Sequence, residues 1–331
     1  MSVAAVVKDI KKGNIQPIYF IYGDEPYYID QLSKAVDSIL DEGAKAFNQV
    51  TLYGRDVDFK AVMDHARQFP MMSSHRVVIL KEAQTMRSLD KLSSYIENPA
   101  PQTVLLIAYK KDRLDKRTKF AKALSKHAVL LESKKLYLNK IPAWINNYVA
   151  DKKLQIHPKA SAILAEHIGA DLAKLSNELD KVCINLESEE IISYDMIIDQ
   201  VGINRDYNVF EFRSALGKKD LARSMQIANY FGDNAKSHPI QMILPSVFSY
   251  FLQIFQTKGM SGAADGQVAR AIGVNPYFVS EYKTAAKNYQ IDQIKRIFTK
   301  LKETDLRSKG VGGRQAKPKD MLQDLVFTIV S

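Results

Sequence analysis

Over roughly the first 130 residues, short unbroken apolar runs alternate with segments whose apolar residues recur every three or four positions. Ile18 to Tyr22 runs into Gly23, Phe47–Tyr53 closes on Gly54, and Arg76–Glu82 is rich in β-branched residues. Thr103–Tyr109 and Ala128–Glu132 complete five predicted strands. Helical spacing predicts a helix from Pro26 to near Asp41–Gly43, carried by Ile29, Leu32, Val36 and Ile39. Further helices are predicted over Asp58–Arg67, Leu89–Ile96 and Lys110–Ser125, and a short one over residues 1–16 ends at Gly13-Asn14. Strands alternating with helices imply a parallel sheet covered on both faces.

After Glu132 the predicted strands stop. Leu138–Lys152, Pro158–Ile168, Asp171–Leu186 and Ser193–Val201 read as helices, with a turn or small strand between Asn185 and Ser193. From Asn208 onward helices continue, broken at Gly217, Gly232–Asn234, Gly259–Gly266, Asn275-Pro276 and Gly310–Gly313. The expected layout is α/β plus all-α: an α/β domain over 1–136, a small helical domain over 137–206 and a helical C-terminal domain over 207–331. The most apolar window, Ile240–Phe255, is interrupted by Gln241, Pro245, Ser246, Ser249 and Gln253, so it reads as a buried helix and not a membrane span.

Composition adds two constraints. A net charge of +10 favours contact with a polyanion, nucleic acid above all. Cys183 is the one cysteine, which precludes an intrachain disulfide and fits a reducing cytoplasm. The six histidines, at 65, 75, 127, 157, 167 and 238, form no metal-ligand spacing, and no catalytic constellation stands out.

The first strand–turn–helix is where a nucleotide-binding α/β domain cradles phosphate, in a loop of the form G-x-x-x-x-G-K-[ST]. Here the loop is Gly23-Asp24-Glu25-Pro26, with one glycine, two carboxylates and neither the lysine nor the hydroxyl. Asp24 and Glu25 would repel a polyphosphate at the helix N-terminus that should attract it. The acidic pair needed for magnesium at the end of the third strand is replaced by Lys81-Glu82-Ala83, and a lysine there opposes a cation. Gly23, Asp24, Glu25, Lys81 and Glu82 therefore mark a vestigial nucleotide site. A different α/β fold that never bound nucleotide also satisfies these residues.

IYFIYGDEPYYID, FPMMSSHRVVILKEA, PQTVLLIAYKKDRLDKRTKFAKAL, GADLAKLSNELDKV, NVFEFRSALGKKDLARSM and LRSKG follow one another over the whole chain. In that order they resemble the delta subunit of the bacterial DNA polymerase III clamp loader. The resemblance implies an AAA+-like core without ATPase competence, a small helical lid domain, and a collar that joins a pentamer with tau/gamma and delta prime subunits. It implies a non-catalytic partner of the sliding clamp (beta) that opens the ring for loading onto primed DNA. ATP would be bound by neighbouring subunits, so the chain itself needs no cofactor. Primer–template would be met through the complex, in the cytoplasm and away from any membrane, and a polymerase label would describe the holoenzyme. In such proteins the clamp is gripped by two apolar residues after a proline, which here are Pro70, Met71 and Met72. A larger aromatic is common at the second position, so Met72 departs from the usual pattern. Read from the residues alone, both methionines belong in the core beneath the third strand.

Other features keep further readings open. Lys110, Lys111 and Arg113 begin a basic helix that could track phosphates, or could face water with Asp112–Lys116 and Asp115–Lys119 pairs. Lys309 and Arg314 lie in a second basic cluster around Gly310–Gly313. Gln267–Lys287 has the spacing of a helix-turn-helix with a tight turn at Gly273, but its second helix offers Tyr277, Glu281, Tyr282 and Lys283, with no arginine or glutamine for base edges. A DNA-binding protein built on that motif or on a basic patch, and a divergent ATPase, are the alternatives.

Overall fold

The computed structural model describes residues 2–111, 114–184, 186–187, 190–311 and 317–331. The chain divides into two compact units, Met1–Leu136 and Tyr137–Ser331.

In the N-terminal unit, Ile18–Gly23 (β1), Gln49–Tyr53 (β2), Arg76–Lys81 (β3), Thr103–Tyr109 (β4) and Val129–Ser133 (β5) form one sheet in the order β2-β3-β4-β1-β5. Every pairing is parallel; Ile18 lies opposite Leu105, Tyr19 opposite Val129, and Val77 opposite both Gln49 and Val104. Alternation sends Tyr19, Ile21, Val77, Ile79, Val104 and Leu106 to one face, under helices Val3–Lys11 (α1) and Pro26–Asp37 (α2). Ile18, Phe20, Val78, Leu80, Leu105 and Ile107 go to the other, under Phe59–Arg67 (α4), Ser93–Glu97 (α5) and Lys119–His127 (α6). With both faces covered, the central strands have no polar face, which is why they read as continuous apolar runs.

Two expectations need correction here. The helix from Pro26 stops at Asp37, and a separate helix, Glu42–Asn48 (α3), follows, its first turn held by Asp41 Oδ1 accepting from the Ala44 amide at 2.8 Å. Phe47 is therefore helical, and the strand expected from it begins at Gln49. Among the described residues of the basic segment 110–125, helix begins at Lys119, where the Thr118 hydroxyl caps α6. Asp115 is engaged locally, accepting from the Arg117 backbone at 3.0 Å and its guanidinium at 2.9 Å, so an Asp115–Lys119 helical pair does not form.

The second unit holds Ile141–Ala150 (α7), Pro158–Ile168 (α8), Leu172–Cys183 (α9) and Tyr194–Val201 (α10). A two-residue parallel ladder pairs Gln155–Ile156 (β6) with Ile191–Ile192 (β7); β7 falls where a turn or small strand was expected before Ser193, and β6, between α7 and α8, was not expected. Helices Val209–Gly217 (α11), Leu221–Asp233 (α12), Ile240–Gly259 (α13), Asp265–Ile272 (α14), Val279–Asn288 (α15), Ile291–Ser308 (α16) and Pro318–Val330 (α17) complete it. Their apolar core runs from Phe212 to Ile329 and contains no residue before 207. Of α13, Ile240, Ile243, Leu244, Val247, Tyr250, Phe251, Ile254 and Thr257 are buried; Met242, Phe248, Leu252 and Phe255 are exposed, so the helix expected to be buried is two-sided.

Charges tie α8 to the later helices. Arg213 Nη2 lies 3.0 Å from Glu166 Oε2, Arg213 Nη1 donates to Ser246 Oγ at 3.2 Å, and Ser246 Oγ donates to Glu166 Oε1 at 2.5 Å. Lys159 Nζ pairs with Glu211 at 3.2 Å. Removing one partner of such a half-buried pair strands the other.

On α15, burial pushes the Glu281 carboxyl above its ordinary 4.5, against the pull of Arg213 and Lys218. A carboxyl raised on folding makes its ionised form a cost at neutral pH, relieved as pH falls through the folded value towards 4.5. Glu281→Gln is expected to raise the unfolding midpoint of the helical unit at pH 7, with the gain disappearing as the melts are repeated down to about pH 4.5.

Candidate docking tip and the closed phosphate-loop position

The C-terminal ends of β1, β3 and β5 share one edge of the parallel sheet, where a nucleotide would sit against β1. That position is shut from within. The Asp24 and Glu25 amides both donate to the Ser133 carbonyl, at 3.0 and 3.2 Å, and Ser133 Oγ donates to the Glu25 carbonyl at 2.6 Å. Gly23 has φ +141°, and a β-carbon there would lie 1.8 Å from the Ser133 oxygen, so only glycine permits the approach. Buried Glu25 caps α2 by accepting from the Tyr27 amide at 3.1 Å. Asp24 takes no part in this cap and faces the segment after β5, 3.3 Å from the Lys135 amide and 3.8 Å from its ammonium. The amides that would face a phosphate are thus spent on the chain itself.

The second half of the vestigial site is equally committed. The Lys81 carbonyl accepts from the Gly54 amide at 2.9 Å, and Glu82 follows in the left-handed region, φ +52°. The Glu82 carboxylate stands 3.7 Å from Lys110 Nζ. The structure brings Glu82 and Lys110 together as an ion pair, while the Lys81 charge bears on Asp37 instead. Among the described residues, no group of three or more His, Cys, Asp or Glu is placed to hold a metal ion.

Met71 and Met72 lie at the opposite edge, in the turn between α4 and the start of β3. The sequence-based placement of both in the core is wrong: Met71 is 61% exposed and Met72 106%, the latter with φ +52°. Pro70 is half-buried beneath them, and Phe69 and Phe47 are also exposed. Four large apolar side chains in so short a compass need a reason, because an exposed apolar cluster on a stable domain marks a surface awaiting a partner.

The turn is supported by two residues to which sequence reasoning gave no role. Buried Asn48, the last residue of α3, accepts from the Met71 amide at 2.6 Å and donates to the Met71 carbonyl at 2.9 Å. Buried Arg76 donates to the His65 carbonyl at 2.7 Å and the Phe47 carbonyl at 3.2 Å, tying the ends of α4 and α3 to the start of β3. A polar residue at 48 between predicted strand positions carried no warning; Arg76 could have been found as a charge opening an otherwise apolar strand.

The basic residues are scattered. Lys111 is exposed, Lys309 pairs with Asp305 at 2.7 Å, and Arg113 and Arg314 lie outside the described residues, as does Asp112. Lys119, Lys122 and Lys126 form the open face of α6. The helix-turn-helix reading loses its reading helix. Gly273 makes the tight turn at φ +70°, but Val279, Tyr282, Ala285 and Ala286 of α15 are core residues, and Lys283 pairs with Asp265 at 2.6 Å.

A parallel five-stranded α/β unit followed by a helical unit is the class of fold to which the chain is thereby assigned. Two models of one family match: that of the DNA polymerase III delta subunit over residues 19–134, and that of the C-terminal domain of the same subunit over 206–322. Together they span more than half the chain. The chain belongs to the DNA polymerase III delta-subunit family. It is 27% identical over 319 residues to DNA polymerase III subunit delta of Bacillus subtilis, covering 92% of this chain and 91% of that one. It is similar to the solved structure of the Bacillus subtilis DNA clamp loader delta protein, with 26% identity, a TM-score of 0.59 and 99% of each chain covered.

Gly23→Ala is expected to destabilise the N-terminal unit by about 2–5 kcal/mol, from the backbone clash and positive φ together. Denaturant unfolding followed by a probe within residues 1–136 checks this.

Proposed function

We propose that the chain is a non-catalytic subunit of the replicative clamp loader, which binds the sliding clamp through Pro70, Met71 and Met72 and holds the ring open for loading onto primed DNA. The observation that carries this reading is the exposure of both methionines on a supported turn. Methionine is flexible and polarizable, suited to filling an apolar pocket on another protein. Burying each side chain on docking is worth about 1.5–3 kcal/mol before the cost of association.

The same proposal takes ATP to be bound by neighbouring tau/gamma subunits and not by this chain, whose loop amides are engaged with Ser133. It divides the helical unit at residue 206 into a lid-like domain and a collar. The collar reading is supported by the self-contained core after Phe212 and by the exposed Met242, Phe248, Leu252 and Phe255 face of α13, which suits packing against neighbours in a pentamer with delta prime. Primer–template is met through the assembled complex, with Lys110, Lys111 and Lys309 as contacts of this chain, and the setting is the cytoplasm. No helix among the described residues is long and apolar enough to cross a membrane.

Replacing Met71 and Met72 together with aspartate is expected to weaken clamp binding by at least a hundredfold, since two charges would enter an apolar pocket, while the melting curve stays unchanged. Titration against the purified clamp decides it; unaltered affinity sinks the docking assignment. Separately, equilibrium dialysis with ATP and magnesium should detect no nucleotide on the isolated chain, and stoichiometric binding would restore the ATPase reading.

A further inference from the structure

The turn that carries Met71 and Met72 has little of its own to hold it. Among the described residues, no main-chain to main-chain hydrogen bond outside helices and strands involves residues 69 to 75. Met72 nevertheless keeps a left-handed backbone, φ +52°, which a non-glycine residue adopts only where its surroundings impose it. The residue before it is gripped by the Asn48 carboxamide. Its Oδ1 takes the Met71 N–H at 2.6 Å and its Nδ2 gives to the Met71 carbonyl at 2.9 Å, so one side chain satisfies both polar groups of one residue, as a neighbouring strand would. Nδ2 also donates to the Ala44 carbonyl at 3.0 Å, anchoring the carboxamide to α3. Asn48 is wholly buried, so its carboxamide has no access to water in place of these bonds. Aspartate at 48 would turn an oxygen on two carbonyls, and alanine would offer nothing.

We infer that Asn48 is a positioning residue for docking: it pre-forms the methionine tip for an apolar pocket on the partner ring, and affinity depends on it although it is buried beneath the contact surface. The inference rests on the docking role proposed for Met71 and Met72. A tip that is already in its bound shape loses less conformational freedom on association, and Asn48 supplies that shape. Arg76 keeps α3, the platform for Asn48, against α4 and β3.

The test is a double-mutant cycle on clamp affinity, using the full chain and the purified sliding clamp of the same organism. Asn48→Ala is expected to weaken binding roughly tenfold to a hundredfold, the loss of two hydrogen bonds in a buried site. In a Met72→Ala background the same change should cost markedly less, because Asn48 acts through the tip; a general loss of fold would cost the same in both. Hydrogen exchange on the unmodified protein gives a second readout that needs no variant to fold. The Met71 amide should be protected well beyond those of Ser73 and Ser74, and equal exchange overturns the inference. Wild-type affinity in Asn48→Ala, or fully independent effects in the cycle, also overturns it. If Met71→Asp with Met72→Asp binds as wild type, the docking reading itself falls and this one with it; if that variant loses the clamp and Asn48→Ala does not, only the positioning role is lost.

Discussion

The carbonyl of Ser133 is the group around which the N-terminal unit is arranged. By accepting from both Asp24 and Glu25 it draws the turn after β1 onto the end of β5, at a distance only glycine at 23 allows. Those amides are what a phosphate loop uses to hold its ligand. The closure therefore strengthens the sheet with the very donors that binding would require. Lys110 against Glu82 repeats the exchange at the end of β3, an ion pair where a metal ligand would otherwise stand.

With the C-terminal edge committed to the chain's own structure, the exposed apolar cluster stands at the other end of the strands. There the economy is reversed. Phe47, Phe69, Met71 and Met72 forgo burial, and two buried polar residues, Asn48 and Arg76, hold the backbone that displays them. Leaving a large apolar side chain in water gives up about 1.5–3 kcal/mol each. A fold whose strands are otherwise sealed on both faces can sustain that loss.

Much of this was legible in the sequence, and the misreadings have definite causes. Buried parallel strands announce themselves as unbroken apolar runs, so β1, β3 and β4 were found almost to the residue. Edge strand β2 is only half-buried and lies directly after a short helix, so α3 was absorbed into its neighbours. Asp41 was the available signal for α3, as Thr118 was for the late start of α6; both are caps overridden by an apparently continuous pattern. The ladder of β6 and β7 spans two residues per strand, too short for any periodicity. The methionine pair shows the limit most clearly. Apolar residues are interior by default, and only a resemblance to other proteins, not any property of the residues, argued for the surface. Asn48 was invisible because its role depends on a contact 23 positions away.

The separation of the two edges has a consequence for timing. In a machine driven by nucleotide turnover, a subunit whose own loop is latched by Ser133 has no stroke to make. Under the proposed role it would be the fixed jaw of a vice, offering the same tip before and after its neighbours hydrolyse. Under the proposed role, any rhythm in its grip must come from what uncovers that tip, since the tip itself keeps one shape throughout the cycle.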